Sequence, residues 1–330
     1  MSITAAGIRP SEASVAPVRA AGMLPLSMFG IPLGLAGLGG VWSAARSFYE
    51  IPRWPEEVFY GSAGAIWLTL TAIYITGGLR RKGAFRADLR HEASGPFAAF
   101  IPIVGILLSV HYSEHLPGFG GWMSLVFIAA LTVVVTQLLV RWITGGVPMQ
   151  SIHPGYLLPV VAGPFVASIG FSSANAHDAA LAAFGVGAFF WLVVGTIVTV
   201  RLMTAGEIAG PARPGLSAYL SAPATGSLAW MISHPGPMGA PQMMLTGVLV
   251  VMLLMQLLLI GEYRKVRFGP LFWVFTFPVA ATANYGVRWI TASNVPGRDV
   301  YVWVILALAT AFILSVAAGT IVAATKKRGR

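Results

Sequence analysis

The chain has 330 residues, 56% of them hydrophobic and only 10% charged, with a net charge of +10 and no cysteine. Soluble domains carry about 25% charged residues, so a soluble globule is excluded, and the missing cysteines exclude disulfides, thiol catalysis and cysteine-ligated metals. The positive charge does not mark a nucleic-acid binder, whose basic residues form a stripe on a soluble surface; here they fall in short loops between apolar runs, where orientation in a membrane accounts for them.

Residues 1–21 are mildly basic, hold Pro10 and Pro17, and lack the apolar core of a signal peptide. They read as a disordered cytoplasmic tail. A helix needs about 20 apolar residues to cross the hydrocarbon core. Ten stretches meet or approach that length: about 22–45, 58–79, 96–113, 120–142, 154–171, 177–202, 214–231, 241–262, 270–290 and 299–324. The expected fold is therefore an all-α integral membrane protein, with a ten-helix transmembrane domain over 22–324 and a basic cytoplasmic tail over 325–330.

Charge placement gives an independent count. With the N-terminus cytoplasmic, ten spans leave 17 of the 21 lysines and arginines inside, the largest group running from Arg80 to Arg90. Only Arg46, Arg53, Arg288 and Arg298 fall outside. That is the direction of the positive-inside rule, and it places both termini on the cytoplasmic side of the cytoplasmic (inner) membrane.

Proline follows the same alternation. Eleven of the 22 prolines fall in or at the start of odd-numbered spans, and no even-numbered span has one past its first residue. A proline frees a carbonyl and kinks a helix, and in lipid the freed group must find protein or water. The odd spans are thus expected inside, facing one another or an aqueous path, and the even spans outside against lipid. Pro32, Pro102, Pro159, Pro223 and Pro278 are 70, 57, 64 and 55 residues apart. The pattern reads as one helical hairpin repeated five times in parallel, with the five prolines as pore-lining kinks around a central channel.

Four segments in order carry a resemblance: FGIPLGLAGL from Phe29, HPGYLLPVVAGPF from His153, RPGLSAYLSAPATGS from Arg213 and FWVFTFPVAATAN from Phe272. Together they resemble the tellurite-resistance/dicarboxylate transporter family, which includes bacterial tellurite-resistance proteins, fungal malate transporters and plant guard-cell slow anion channels. The resemblance implies a homotrimer in which each protomer has its own pore, lined by the five odd helices. It also implies a phenylalanine plug on the ninth helix, in a motif of an aromatic, Ser or Thr, Phe, then Pro or Gly. Phe275-Thr276-Phe277-Pro278 matches. The gate carried over is Phe277, with Phe275 as its competitor.

The residues themselves point the same way. The odd spans hold hardly any ionisable group in mid-span, so a conducted anion meets no deep well, as conduction requires. A proton-coupled pump would show intramembrane acids, and a retinal protein would need a lysine within a span. The function expected is an anion channel or facilitator for small monovalent anions such as chloride and nitrate, with no cofactor and with small inorganic anions and the lipid bilayer as partners. Alternatives are a secondary transporter of C4-dicarboxylates and an exporter of sulfite or tellurite.

The remaining polar positions have plainer readings. His111-Tyr112-Ser113-Glu114-His115 spells H-x-x-E-H, a zinc-hydrolase pattern. It ends a span and lacks an evident third ligand, so an intramembrane zinc hydrolase is a remote alternative to a polar vestibule. His153 reads as a helix cap, Glu207 with Arg213 as a surface ion pair, and Arg288 as a cation snorkelling to the outer interface. Trp54, Trp122 and Trp230 read as interfacial anchors. The Arg80–Arg90 cluster is basic enough to touch anionic lipid, although orientation already accounts for it.

Overall fold

Long apolar runs in lipid must satisfy every backbone N–H and C=O from within, which leaves the helix as the economical solution. The computed structural model describes residues 24–293 and 295–328, and among them helices are the regular elements and no strand occurs. The predicted tail over 1–21 lies outside the described residues. The α-helices in chain order are α1 (Gly30–Arg46), α2 (Trp54–Leu79), α3 (Ala84–Arg90), α4 (Phe100–Tyr112), α5 (Pro117–Ile143), α6 (Gly163–Ser173), α7 (His177–Thr204), α8 (Ala218–Ser233), α9 (Ala240–Leu258), α10 (Ile260–Tyr263), α11 (Thr276–Ser293) and α12 (Arg298–Arg328). The last of these continues into the stretch expected to be a basic tail.

Eight helical segments among the described residues are long and apolar enough to cross a membrane. The sequence gives ten candidates. The two outside that set are α8 and α11, which are helical over the predicted spans but rich in small polar residues such as Ser221, Thr225, Thr282 and Asn284. Both pack among other helices.

Contacts sort the helices into two sets. α1, α4, α6, α8 and α11 touch in succession, and α11 returns to α1. Each also packs on the helix that follows it: α2, α5, α7, α9 and α12. Burial follows the same division. In an 18-residue window of the segment Pro154–Ser173, which ends in α6, 89% of the residues are buried, whereas in such a window of α7 or α9 17% are. The second set exposes large apolar side chains, for example Leu192 at 76% and Leu258 at 86%, a surface that lipid covers and water would not.

Every member of the inner set is entered through a tighter or looser turn. Leu26–Phe29 precedes α1, Gly95–Ala99 precedes α4, Gly210–Ser217 precedes α8 and Pro270–Phe275 precedes α11, all as 3₁₀ turns. Ahead of α6 a 3₁₀ turn at Pro154–Tyr156 leads into a π turn at Leu158–Ala162. These entrances explain the prolines. Pro32, Pro102 and Pro278 are each the third residue of their α-helix, in the first turn, where an N–H has no α-helical partner to lose. Pro159 lies in the π turn, and Pro223 alone of the five is interior to its α-helix.

The inner set closes at α1 and α11 through glycines. A Cβ on Gly30 would come within 3.2 Å of Trp273, on Gly37 within 2.8 Å of Ala280, and on Gly40 within 3.0 Å of Asn284. At Gly34 it would overlap the Thr276 side chain outright. Membrane helices lack a hydrophobic drive toward one another, so such backbone approach is what van der Waals packing requires. Gly34→Ala should destabilise the protein by about 1–3 kcal/mol through overpacking, although alanine is the better helix former by about 1 kcal/mol. Gly247→Ala on α9, where nothing lies within 4 Å, should be neutral or stabilising. Thermal unfolding of the purified proteins in detergent checks both, and equal melting of Gly34→Ala and wild type would refute the packing role.

Candidate functional site

The inner helices enclose a cavity of about 410 Å³ lined by residues of all five, with Tyr60 of α2. On α11 the wall is Phe277, Ala281, Asn284 and Arg288, a 4-3-4 spacing that keeps one helical face turned inward. The matching stripe on α1 is Ala36, Gly37, Gly40 and Ser43, and on α8 it is Thr225, Leu228, Met231 and Ile232. At about 1.5 Å per residue, Phe277 lies some 16 Å along α11 from Arg288. The cavity thus runs from a polar mouth near Arg288 to an apolar floor at Phe277.

Phe277 is 6% exposed, and its ring faces Gly37 of α1, where an added Cβ would meet it at an ordinary contact distance of 3.6 Å. Phe275 is directed elsewhere. Its ring packs 4.7 Å from Tyr263 and 6.4 Å from Phe312, both on the outer side of the inner set, and it is absent from the cavity wall. The five prolines are buried but none lines this cavity; Pro102 borders a crevice on the other side of α4, toward α2 and α5.

The mouth is a network of charge. Arg46 ends α1 and donates from Nε to Glu56 Oε1 at 2.7 Å and from a terminal nitrogen to Glu114 at 3.2 Å. Arg53 also donates to Glu114, at 3.1 Å. Glu56 is only 1% exposed. His111 stacks on Tyr60 with ring centroids 3.8 Å apart and planes within 9°, and its Nε2 lies 3.2 Å from Glu57. His115 reaches the same Glu57 oxygen at 3.7 Å. The H-x-x-E-H residues are therefore divided: Glu114 is held by two guanidiniums, and the two histidines face Glu57. Among the described residues no three histidine or carboxylate side chains are grouped to hold a metal.

Arg288 does not snorkel outward as the sequence suggests. It is half-buried on the cavity wall, its Nε donating to Asn284 Oδ1 at 3.0 Å. It is the one arginine or lysine on that wall among the described residues. His153 is a cap: Nδ1 accepts from the Gly155 N–H at 3.1 Å, and Nε2 lies 3.1 Å from the Ala93 carbonyl. Burial pushes its pKa down to about 4, so the ring stays neutral. Arg213 pairs with Glu207 at 2.9 Å and also with Glu262, and the neighbouring Lys265 holds the Glu262 carboxyl below its usual range. Trp54 and Trp122 are exposed at helix ends, whereas Trp230 is stacked on His234 at 3.9 Å and is no simple anchor.

Glu56, Glu57 and Tyr60 were invisible to sequence reasoning as site residues, because the two acids fall just ahead of the predicted span 58–79 and Tyr60 falls on an even helix expected to face lipid. The available signal was two adjacent acids at the entrance to a span. Burial of Glu56 makes its partner matter: an uncompensated buried carboxylate costs about 3–5 kcal/mol. Arg46→Met should destabilise the protein on that scale, and Arg46→Met with Glu56→Gln should recover most of the loss. Thermal unfolding of the two variants checks this; no recovery in the double variant would show that Arg46 acts through something other than Glu56.

A family model described as "SLAC1: Voltage-dependent anion channel" matches residues 23–321. The chain is 26% identical over 298 residues to a tellurite resistance protein TehA homolog of Haemophilus influenzae, covering 85% of this chain and 86% of that protein. It is 24% identical to the S-type anion channel SLAH3 of Arabidopsis thaliana, over 90% of this chain and 48% of the relative, and 23% identical to SLAH2 of the same plant, over 80% and 52%. The chain thus spans about half the length of the plant relatives. It belongs to the SLAC1 voltage-dependent anion channel family.

Proposed function

We propose, from that membership and from the cavity, that the protein is an anion channel or facilitator of the cytoplasmic membrane, passing small monovalent anions such as chloride and nitrate through a pore gated by Phe277. The observation that carries the reading is a cavity bounded by all five inner helices and floored by one phenyl ring. The ten helices are then five parallel hairpins with both termini cytoplasmic, the cavity is the outer vestibule, and the chain assembles as a homotrimer with one pore per protomer. The family resemblance and the recurrence of a tight turn ahead of each inner helix support this arrangement.

The chemistry follows from the wall. An anion leaving water needs compensation for lost hydration, yet a strong site would trap it. Arg288 supplies a single positive charge at the mouth, already engaged by Asn284, which raises the local anion concentration without creating a deep well. The rest of the wall is hydroxyl groups such as Ser43, Ser172 and Thr225 among apolar side chains such as Leu107, Ile169, Leu228 and Ala281. Phe277 then closes the path sterically and by dewetting, and a rotamer change or slight shift of α11 opens it.

In planar bilayers, Phe277→Ala should raise anion current about tenfold or more, since each ~1.4 kcal/mol removed from a barrier is a factor of ten. Phe275→Ala should leave current unchanged. No rise in a folded Phe277→Ala protein would sink the gate assignment. Arg288→Gln should cut conductance at low anion concentration about fivefold, the factor that about 1 kcal/mol of surface-like attraction represents, with less effect at high salt. Absence of current in all variants, together with saturating proton-dependent uptake, would instead establish a coupled transporter of dicarboxylates, sulfite or tellurite.

A further inference from the structure

A second site lies on the lipid-facing side of the bundle, at the end opposite the polar mouth. An apolar crevice of about 310 Å³ opens between α2 and α5, lined by Trp67, Phe127, Ala130 and Val134 and reaching inward to Pro102 of α4. The short helix α3 closes one end with Phe85 and Leu89. Phe85 is seated against Gly78 of α2, where a Cβ would overlap its ring, and the left-handed turn at Gly83, φ +81°, sets α3 against the bundle.

On the other side of Leu89 the surface changes character. A groove of about 580 Å³ is lined by Arg86 and Arg90 of α3, by Arg141 at the end of α5, and by Thr136, Gln137 and Thr144. No carboxylate lines it among the described residues. The acids nearby in sequence are engaged elsewhere: Asp88 by the Tyr74 hydroxyl and Glu92 by Ser151. Arg141 donates to the Gly146 carbonyl at 3.2 Å, and neither Arg86 nor Arg90 forms an ion pair among the described residues. Thr136 and Gln137 on α5 and Thr144 at its C-terminal cap are polar and exposed.

The geometry points to a bipartite site for one anionic phospholipid, its phosphate on Arg86, Arg90 and Arg141 and an acyl chain in the crevice between α2 and α5. Charge complementarity selects the headgroup, since guanidinium forks match phosphate oxygens in geometry and charge. Continuity selects a lipid over a free anion, because Leu89 borders both compartments and the crevice faces the exposed apolar flanks of α2 and α5. Orientation by the positive-inside rule needs basic residues near a helix end; it does not need three of them converging on one acid-free groove beside an apolar slot. A chain lodged in the slot buttresses α4 at Pro102 and at Ile101, whose carbonyl takes the Trp67 indole N–H at 2.9 Å. α4 is also a wall of the central cavity.

The test is native mass spectrometry of the purified full chain in mild detergent with dioleoyl phosphatidylglycerol, dioleoyl phosphatidylcholine or inorganic phosphate. Wild type should retain about one phosphatidylglycerol per chain in preference to phosphatidylcholine. The combined Arg86→Gln, Arg90→Gln and Arg141→Gln variant should lose retention by on the order of 100-fold, the product of the usual contribution of each basic residue near a membrane surface. Ala130→Phe, which fills the slot from an exposed position and leaves the arginines intact, should also weaken retention. Wild-type retention in either variant, or equal retention of phosphatidylcholine, overturns the proposal. So does displacement of the lipid by inorganic phosphate at matched concentration, which would make the groove a free-anion site. Leu89→Cys gives the only thiol in the chain; efficient disulfide crosslinking between copies in membranes would show that a second copy, and not lipid, covers the groove.

Discussion

The contact on which the rest of this structure depends is the approach of α1 to α11. Five helices can enclose a cavity only if the last meets the first, and here the first and last inner helices are far apart in sequence. Gly30, Gly34, Gly37 and Gly40 remove side chains from one stripe of α1, and Trp273, Thr276, Ala280 and Asn284 fill the space. In a membrane this close packing replaces the hydrophobic drive that would join the same helices in water. The same stripe brings Gly37 opposite the Phe277 ring, so ring closure and the cavity floor share one helix contact.

Backbone chemistry then separates the two ends of the cavity. The inner helices begin in 3₁₀ or π turns, and Pro32, Pro102 and Pro278 fall in the first α-helical turn, where a helical N–H is not needed. Phe277 is the second residue of α11, immediately after its 3₁₀ turn. The narrow, apolar level of the cavity therefore coincides with the start of an inner helix, and its polar mouth with the helix ends. At the mouth, Arg46 and Arg53 are neutralised by Glu56 and Glu114. That pairing leaves Arg288, held by an uncharged amide, as the cation on the wall itself.

The protein also manages two different surroundings with the same residue types. Arg46 and Arg53 at the mouth are paired with carboxylates, and among the described residues Arg86, Arg90 and Arg141 are not. The first arrangement neutralises the charge around the mouth of the cavity. The second leaves a cationic groove beside an apolar slot, which is the pattern of a lipid, polar at one end and apolar along its length.

Much of this was legible in the residues. Composition and the length of the apolar runs determined a helical membrane protein, and the alternation of proline-bearing with proline-poor runs anticipated which helices are buried, because burial and backbone disruption are both local in sequence. The TFP segment singled out Phe277, but the residues alone left Phe275 open; only packing places one ring on the cavity and the other against Tyr263 and Phe312. Arg288, Glu56 and Glu57 could not be assigned from sequence, since a charged residue near a span end has the same local signature whether it faces lipid headgroups or a vestibule. The sequence by itself determined a helical membrane protein and which of its long apolar runs are buried, because these follow from side-chain transfer into lipid and backbone satisfaction within each helix. The tertiary structure decided which faces meet, which arginines keep acidic partners and which phenyl floors the cavity, because those depend on helix rotation and on contacts between residues up to hundreds of positions apart.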